Sequence, residues 1–319
     1  MPKIGLISNP RSQRNRRGLD EIGAAVAGAP DVIHVATGGC QELDEVLAEF
    51  ARQEVGLVLI NGGDGTVQTV LTRLLEVPSF ERMPYLAILP RGMANTTAAD
   101  VGLRGKAASG LSHLLAASRD GTLAEHAVER PILRVENLQG GAPQRGMMFG
   151  AGAIPYAIEL CCERVYARGL TGSLGIGVTL VGLLLGGMLG RHGDGVLRGH
   201  DIAVALDGGS ENRADRLLVL ATSLHRLILG SRPFWNYAAQ PIRYTSIAYP
   251  PDHLLRSAPK VLYGWRRQAL RPDVYQSQGA ERLAVLVDAP ITVDGEMFHP
   301  LPDQPVVITA ADHARFIRL

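Results

Sequence analysis

The sequence predicts two domains, an N-terminal α/β domain built on a parallel sheet and a C-terminal antiparallel β-sandwich. Three observations carry this. Over the first hundred residues short β-branched runs alternate with amphipathic stretches of helical period. One run, Val55–Asn61, is apolar almost throughout, as a strand covered on both faces must be. Beyond about residue 126 the texture changes to many short strands broken by Gly and Pro. The expected boundary therefore separates 1–126 from 127–303.

Lys3–Ser8 reads as the first strand and Val32–Ala36 as the second. Gln41–Gln53 carries Leu43, Val46, Leu47 and Phe50 at i, i+3, i+4 and i+7, one apolar helical face. Val55–Asn61 is the third strand and runs into Gly62-Gly63-Asp64-Gly65. Thr66 is placed to cap a helix whose Val67, Val70, Leu71, Leu74 and Leu75 repeat the same face. Tyr85–Leu89 is the next strand and Ala107–Ser118 a further helix. In the second domain strands are expected at Ile132–Glu136, Gly146–Phe149, Asp201–Leu206, Leu217–Ala221, Ile242–Ala248, Leu283–Val287, Ile291–Val293 and Val306–Thr309.

One stretch stands apart. Gly169–Gly190 has no charge, eight of its residues are glycine, and Arg168 and Arg191 flank it. Its length admits a membrane span, a buried helix, or a helix that faces lipid without crossing.

At 319 residues, 46% hydrophobic and 20% charged, the chain is neither disordered nor collagen-like. Lys+Arg 32 against Asp+Glu 31 leaves a net charge of +1, so no nucleic-acid partner is expected and any anion site must be local. Cys40, Cys161 and Cys162 offer neither a disulfide framework nor a Cys-x-x-Cys metal spacing, which fits a reducing cytoplasm; the N-terminus shows no export signal. Only Lys3, Lys106 and Lys260 are lysines, so backbone or arginine must do what a phosphate-binding lysine does elsewhere.

The strongest local signal is Asn61-Gly62-Gly63-Asp64-Gly65-Thr66 between a buried strand and a helix. Glycine there lets the backbone turn sharply and approach an anion, and the helix start offers free N–H groups. Asp64, read as an exposed loop carboxylate, is repulsive beside phosphate unless it holds Mg²⁺ or handles a proton. A second loop, Leu89-Pro90-Arg91-Gly92-Met93-Ala94-Asn95, follows the next strand and belongs beside the first at the carboxyl edge of the sheet. There is neither a P-loop pattern nor a Gly-x-Gly-x-x-Gly after a strand.

With both loops in hand the chain resembles the diacylglycerol kinase catalytic family, which includes sphingosine, ceramide and bacterial lipid kinases. The matching pieces, in order, are Asn9-Pro10-Arg11-Ser12, Thr37, Asn61–Thr66, Leu89–Asn95 with Val101-Gly102-Leu103, and Val293-Asp294-Gly295-Glu296. The resemblance implies an ATP-binding α/β domain, a lipid-binding β-sandwich with the site in the cleft between, and a last strand, about 304–319, returning to the first domain. It implies ATP and Mg²⁺ as cofactors, with Asn9, Pro10, Ser12, Thr37, Asn61, Gly62, Gly63, Asp64, Gly65, Thr66, Gly92 and Asn95 at the nucleotide and Asp64 on the metal. The γ-phosphoryl would pass to a hydroxyl of a membrane lipid, ceramide or diacylglycerol in type. The base would come from Asp294 or Glu296, or from Asp64 as in the sphingosine-kinase branch. A cytoplasmic protein peripherally attached to the inner face of the membrane follows, with Gly169–Gly190 as its lipid contact.

The chain departs from the family in carrying Thr69 where a Glu is usual, Met93 and Thr96 for a Thr and an Asp, Gln13 for a Gly, and Ile242-Arg243-Tyr244-Thr245 where an Asp-Gly pair serves a structural metal. Two other readings stay open: a soluble-substrate kinase of the NAD kinase type, which also carries Gly-Gly-Asp-Gly, and a non-catalytic lipid- or nucleotide-binding relative. His192-Gly193-Asp194-Gly195 follows no strand and reads as a polar turn. Arg11, Arg14, Arg16 and Arg17 read as a solvated basic loop or an anion-attracting one, and Phe234-Trp235-Asn236-Tyr237 as core.

Overall fold

The computed structural model describes residues 2–12, 14–15, 19–76, 80–105, 107–161 and 197–319. Gly169–Gly190, the His192–Gly195 turn, Gln13, Arg16 and Arg17 lie outside them. The chain divides into two compact units, residues 1–130 with 312–319, and residues 131–311.

The first unit holds β1 (Lys3–Ser8), α1 (Leu19–Val26), β2 (Val32–Ala36), α2 (Cys40–Arg52), β3 (Val55–Gly62), α3 (Asp64–Glu76), β4 (Tyr85–Pro90), α4 (Thr96–Val101) and α5 (Ala107–Arg119). Its strands are parallel in the order β2-β1-β3-β4, with β15 (Val306–Ile317) adding Phe316 beside Leu86 of β4. Leu57, Leu59 and Ile60 of β3 are fully buried, as a strand sandwiched between helix layers requires. Leu43, Leu47 and Phe50 of α2 face the sheet. Gly5 of β1 makes room for the ring of Phe50: a Cβ there would lie 2.3 Å from it. Helix α3 starts at Asp64, with the Gly63 carbonyl accepting the Val67 N–H (3.0 Å), so Thr66 sits inside the first turn and does not cap it. The Thr66 hydroxyl is engaged elsewhere, as described below.

The second unit is antiparallel and rich in β-structure. It contains most of β5 (Ala127–Glu136), then β6 (Gln144–Gly146), β7 (Met148–Gly152), α6 (Ala153–Leu160), β8 (His200–Leu206), β9 (Asn212–Thr222), β10 (Ile242–Ala248), α7 (Leu254–Tyr263), β11 (Tyr275–Ala280), β12 (Arg282–Val287), β13 (Ile291–Val293) and β14 (Glu296–Phe298). The path β14-β13-β7-β9-β8-β12-β15 surrounds one apolar core that includes Leu133, Phe149, Val219, Leu283 and Ile308. The single strand expected over Gly146–Phe149 is two strands. β6 pairs β5 and β7 pairs β9 and β13, and between them Met147 turns its backbone to Asp294 and Thr222 instead of a ladder. β15 runs eight residues past Thr309, where the local strand signal ends, and lies within the last strand of about 304–319 that the resemblance implies. Ala310, Ala314 and Phe316 alternate inward there, so burial overrides the weak strand propensity of Ala-Ala-Asp-His-Ala.

Candidate functional site

Strand order decides where a ligand can sit in the first unit. β1 has β2 on one side and β3 on the other, so the connections leaving the carboxyl ends of β1 and β3 diverge there and leave a crevice. The segments at that edge are Asn9–Ser12 after β1, Gly62–Thr66 after β3 and Arg91–Asn95 after β4. They are held to one another by specific bonds. The Asn9 N–H donates to the Asn61 carbonyl (3.1 Å), the Arg91 N–H to the Gly62 carbonyl (3.0 Å), and the Arg14 N–H to the Arg91 carbonyl (3.1 Å). The Asn9 side-chain amide donates to Thr66 Oγ1 (2.9 Å), and Ser12 Oγ lies 3.5 Å from the same oxygen. Asn9 Oδ1 accepts the Arg11 N–H (2.9 Å), which folds Pro10 into a tight Asx turn.

Beneath these loops is a buried polar layer. Asn61, fully buried, donates to Ser8 Oγ (2.9 Å), which also meets His34 Nε2 (2.9 Å); burial lowers the His34 pKa. Asn15 donates from one amide to both the Asn9 and Asn61 carbonyls (2.9 Å each) and so staples the first loop to the third strand. Sequence reasoning missed Asn15 because it lies among arginines that read as a solvated run. Thr37 donates its N–H to the Ser8 carbonyl (2.9 Å), while its hydroxyl donates to Glu42 of α2 (2.7 Å).

Gly62, Gly63 and Gly92 do not take left-handed φ angles, so sharp turning is not why glycine stands there. Close approach is. A Cβ on Gly63 would lie 2.9 Å from the Gly92 Cα, one on Gly92 would lie 2.4 Å from the Gly63 Cα, and one on Gly62 would strike Thr66. The second and third loops therefore touch backbone to backbone. Asn95 closes its own loop, accepting the Gly92 N–H (2.7 Å) and donating to the Gly92 carbonyl (2.8 Å), with its backbone left-handed at φ 51°.

Asp64 corrects the reading of it as an exposed loop carboxylate. It is the first residue of α3, only partly accessible, and its two oxygens accept the N–H groups of Thr96 and Thr97, 3.0 Å each, at the start of α4. It thus caps a helix 32 residues away in sequence and faces the positive end of that helix dipole. Desolvation raises the Asp64 pKa, against the opposing effect of the Thr96 and Thr97 amides. Each carboxylate oxygen keeps further lone pairs for a proton or a cation.

The second unit places Asp294 and Glu296 on the β13–β14 hairpin, whose turn residues Asp294 (φ 50°) and Gly295 (φ 90°) are both left-handed. They differ in accessibility. Asp294 is buried, and its carboxylate accepts the Met147 N–H on both oxygens (3.1 and 2.9 Å) and the Met148 N–H (2.9 Å). Glu296 is exposed, and its side chain makes no hydrogen bond or ion pair among the described residues.

With the loops and carboxylates placed, the comparisons with known proteins are decisive for the first unit. Residues 3–125 match the family described as the diacylglycerol kinase catalytic domain. The chain carries a diacylglycerol kinase catalytic domain. That domain is one of lipid kinases, and it makes the protein a kinase. A solved structure described as a diacylglycerol kinase from Bacillus anthracis str. Sterne shares 17% identity and superposes with a TM-score of 0.61 over 98% of this chain and 96% of that one. Two further structures from the same strain share 16% and 18% identity, each with a TM-score of 0.64, and cover 98% and 99% of this chain and 96% and 97% of their own. These likenesses extend the shared fold to the second unit. No curated protein matches the chain.

Where the diacylglycerol kinase motifs are altered, the structure shows what the replacements do. The Thr69 hydroxyl donates back to the Gly65 carbonyl in its own helix (2.9 Å). Thr96 serves Asp64 through its backbone, which any residue but proline supplies. Arg243 of β10 donates to the Ser223 carbonyl (2.7 Å) and lies over the Tyr237 ring at 4.8 Å. Among the described residues no three His, Cys, Asp or Glu form a metal cluster, and no described helix is long and apolar enough to cross a membrane.

Proposed function

We propose that the protein transfers the γ-phosphoryl group of ATP to a hydroxyl of a membrane lipid of the diacylglycerol or ceramide type. The observation that carries this is the convergence of three loops at the switch point of the parallel sheet, within a diacylglycerol kinase catalytic domain. Backbone N–H groups there, with the side chains of Asn9, Ser12 and Thr66, suit a polyphosphate that has no lysine to meet it.

The donor set also fits Mg²⁺. The ion is normally held by one or two carboxylates plus substrate phosphates, and Asp64 supplies hard oxygens at the loops. When bound, it would neutralise charge building on the transferred phosphoryl. Asp64, fixed by two amides, keeps its carboxylate aimed and its loop closed. Glu296 is the better proton acceptor for the lipid hydroxyl, because Asp294 already accepts three N–H bonds and holds the hairpin in place.

Mass spectrometry of acceptors after incubation with ATP and Mg²⁺ tests the reading. The panel would hold diacylglycerol, ceramide, sphingoid base and NAD. A phosphorylated lipid is expected. Phosphorylated NAD alone would assign the protein to the NAD kinase type, and bound ATP with no product would make it a non-catalytic relative.

A further inference from the structure

Four large apolar side chains are exposed among the described residues, and three of them, Leu229, Tyr263 at the last residue of α7 and Trp265 just after it, lie in two segments of the second unit that are tied together. The tie is explicit. The Arg232 N–H donates to the Leu262 carbonyl (2.7 Å), and the Arg267 guanidinium donates to the carbonyls of Arg232, Lys260 and Val261. Arg267 thereby closes the carboxyl end of α7, where a cation also suits the helix dipole, and rests on the half-buried Trp235 ring at 5.3 Å. It is a clamp with Nε and Nη2 occupied.

Its neighbours do the opposite. Gly264 (φ 81°) and Arg266 (φ 49°) are both left-handed, and Leu229 in the adjoining loop is left-handed too (φ 57°). Two reversals in three residues carry Tyr263 and Trp265 into solvent, 57% and 62% exposed, although each has an apolar ring to bury. Left-handed backbone at non-glycine residues beside unburied aromatics is strain that no contact among the described residues repays. Charge identifies what would. Residues 254–271 contain Arg256, Lys260, Arg266, Arg267 and Arg271 and no Asp or Glu, in a chain whose net charge is only +1. Arg271 is paired with Asp273 and Arg267 is occupied, which leaves Arg256, Lys260 and Arg266, the last stacked over the Trp265 ring at 5.5 Å, as the cations to meet an external anion.

We propose that the Tyr263–Arg266 loop, with the adjoining Leu229 loop, is a membrane-docking surface that inserts Trp265 and Tyr263 at the headgroup level of an anionic phospholipid bilayer. Tyrosine and tryptophan rings with lysine and arginine beside them match the amphipathic boundary of a bilayer, and the local excess of cations matches its negative surface. The inference rests on the lipid-kinase reading, since it says how the protein reaches a membrane-borne acceptor, yet its test is independent of turnover.

The test is cosedimentation of the full chain with vesicles of phosphatidylcholine alone and with phosphatidylglycerol added, and quenching of tryptophan emission by lipids brominated along the acyl chain. Wild type is expected to bind the anionic vesicles, to lose binding as salt rises, and to be quenched. Trp265→Ala should weaken binding on the order of tenfold and remove most of the quenching. Lys260→Gln with Arg266→Gln should weaken it by about fivefold for each charge. Both variants should keep the wild-type melting temperature, because Trp265 and Arg266 are exposed and Lys260 is only partly buried, with no ion pair among the described residues.

Unchanged vesicle binding and quenching in folded Trp265→Ala would overturn the proposal, as would a change in oligomeric state on that substitution, which would assign the loop to a second copy. Activity on a short-chain, water-soluble diacylglycerol separates the two readings. If wild type phosphorylates it but the loop variants behave as wild type on vesicles, the docking surface fails and the kinase reading stands. If wild type binds vesicles through Trp265 yet phosphorylates no lipid, the kinase reading fails and the docking surface stands.

Discussion

Gly92→Ala probes the contact on which the nucleotide loops depend. A Cβ at this position would sit 2.4 Å from the Gly63 Cα, which is backbone and cannot rotate away. Ordinary carbon contacts lie at about 3.5–4.0 Å, so the two loops must part by more than about 1 Å. The Arg91 N–H to Gly62 carbonyl bond spans the same gap and would stretch with it. Overpacking of this kind costs about 1–3 kcal/mol. A displacement near 1 Å of groups that position a reacting phosphate costs on the order of 10² in rate. The assay is steady-state phosphorylation of a diacylglycerol with ATP varied, beside a urea titration to fix the folded fraction. kcat/KM for ATP should fall by that order while the protein stays folded. Gly23→Ala in α1, which meets no atom within 4 Å and has no left-handed φ, is the control and should stabilise by about 0.5–1 kcal/mol. Wild-type kinetics in folded Gly92→Ala would refute the claim that loop contact positions the nucleotide.

Other substitutions separate chemistry from scaffolding. Asp64→Asn should lower turnover on the order of 10²–10³ and, by turning an acceptor into a donor against the α4 amides, cost about 1–3 kcal/mol, less whatever the lost burial of charge returns. Because burial raises the folded-state pKa of Asp64 above the unfolded value of about 3.9, its contribution to stability is full below that pH and is lost as pH rises through the folded value. The wild-type minus Asp64→Asn difference, read by urea titration at several pH values, should fall across that window and level off above it. Glu296→Gln should reduce kcat with an unchanged melting temperature, whereas Asp294→Ala should lower the melting temperature by leaving the Met147 and Met148 amides unsatisfied. Arg130→Ala breaks a buried pair with Asp100 (3.1 Å) and should cost about 3–5 kcal/mol in the same titration.

Much of the first unit was legible because its signals are local. The apolar run from Val55 and the helical spacing of Leu43, Leu47 and Phe50 each describe burial that neighbours in sequence decide. What was not legible depends on residues far apart. Nothing near Asp64 announces that its carboxylate meets amides 32 residues on, and α4, at six residues, is too short to show a period. The break at Met147 follows from a change of strand partner, and β15 beyond Thr309 carries no local strand signal, so that only the family resemblance pointed to its length. In the candidate site, motif order named loops that lie together in the structure but not the reasons for their glycines. Those proved to be mutual contact, a property of two segments that neither carries alone.

Transfer of γ-labelled phosphate to an extractable lipid would establish lipid phosphorylation by this chain. The purified chain, Mg²⁺ and labelled ATP would be mixed with vesicles containing diacylglycerol or ceramide, and the label in the organic phase followed over time against Asp64→Asn. Label should accumulate on lipid well beyond one phosphate per protein and fall on the order of 10²–10³ in the variant. Label that stays in the aqueous phase for every lipid offered, from a protein shown to be folded, would contradict that expectation.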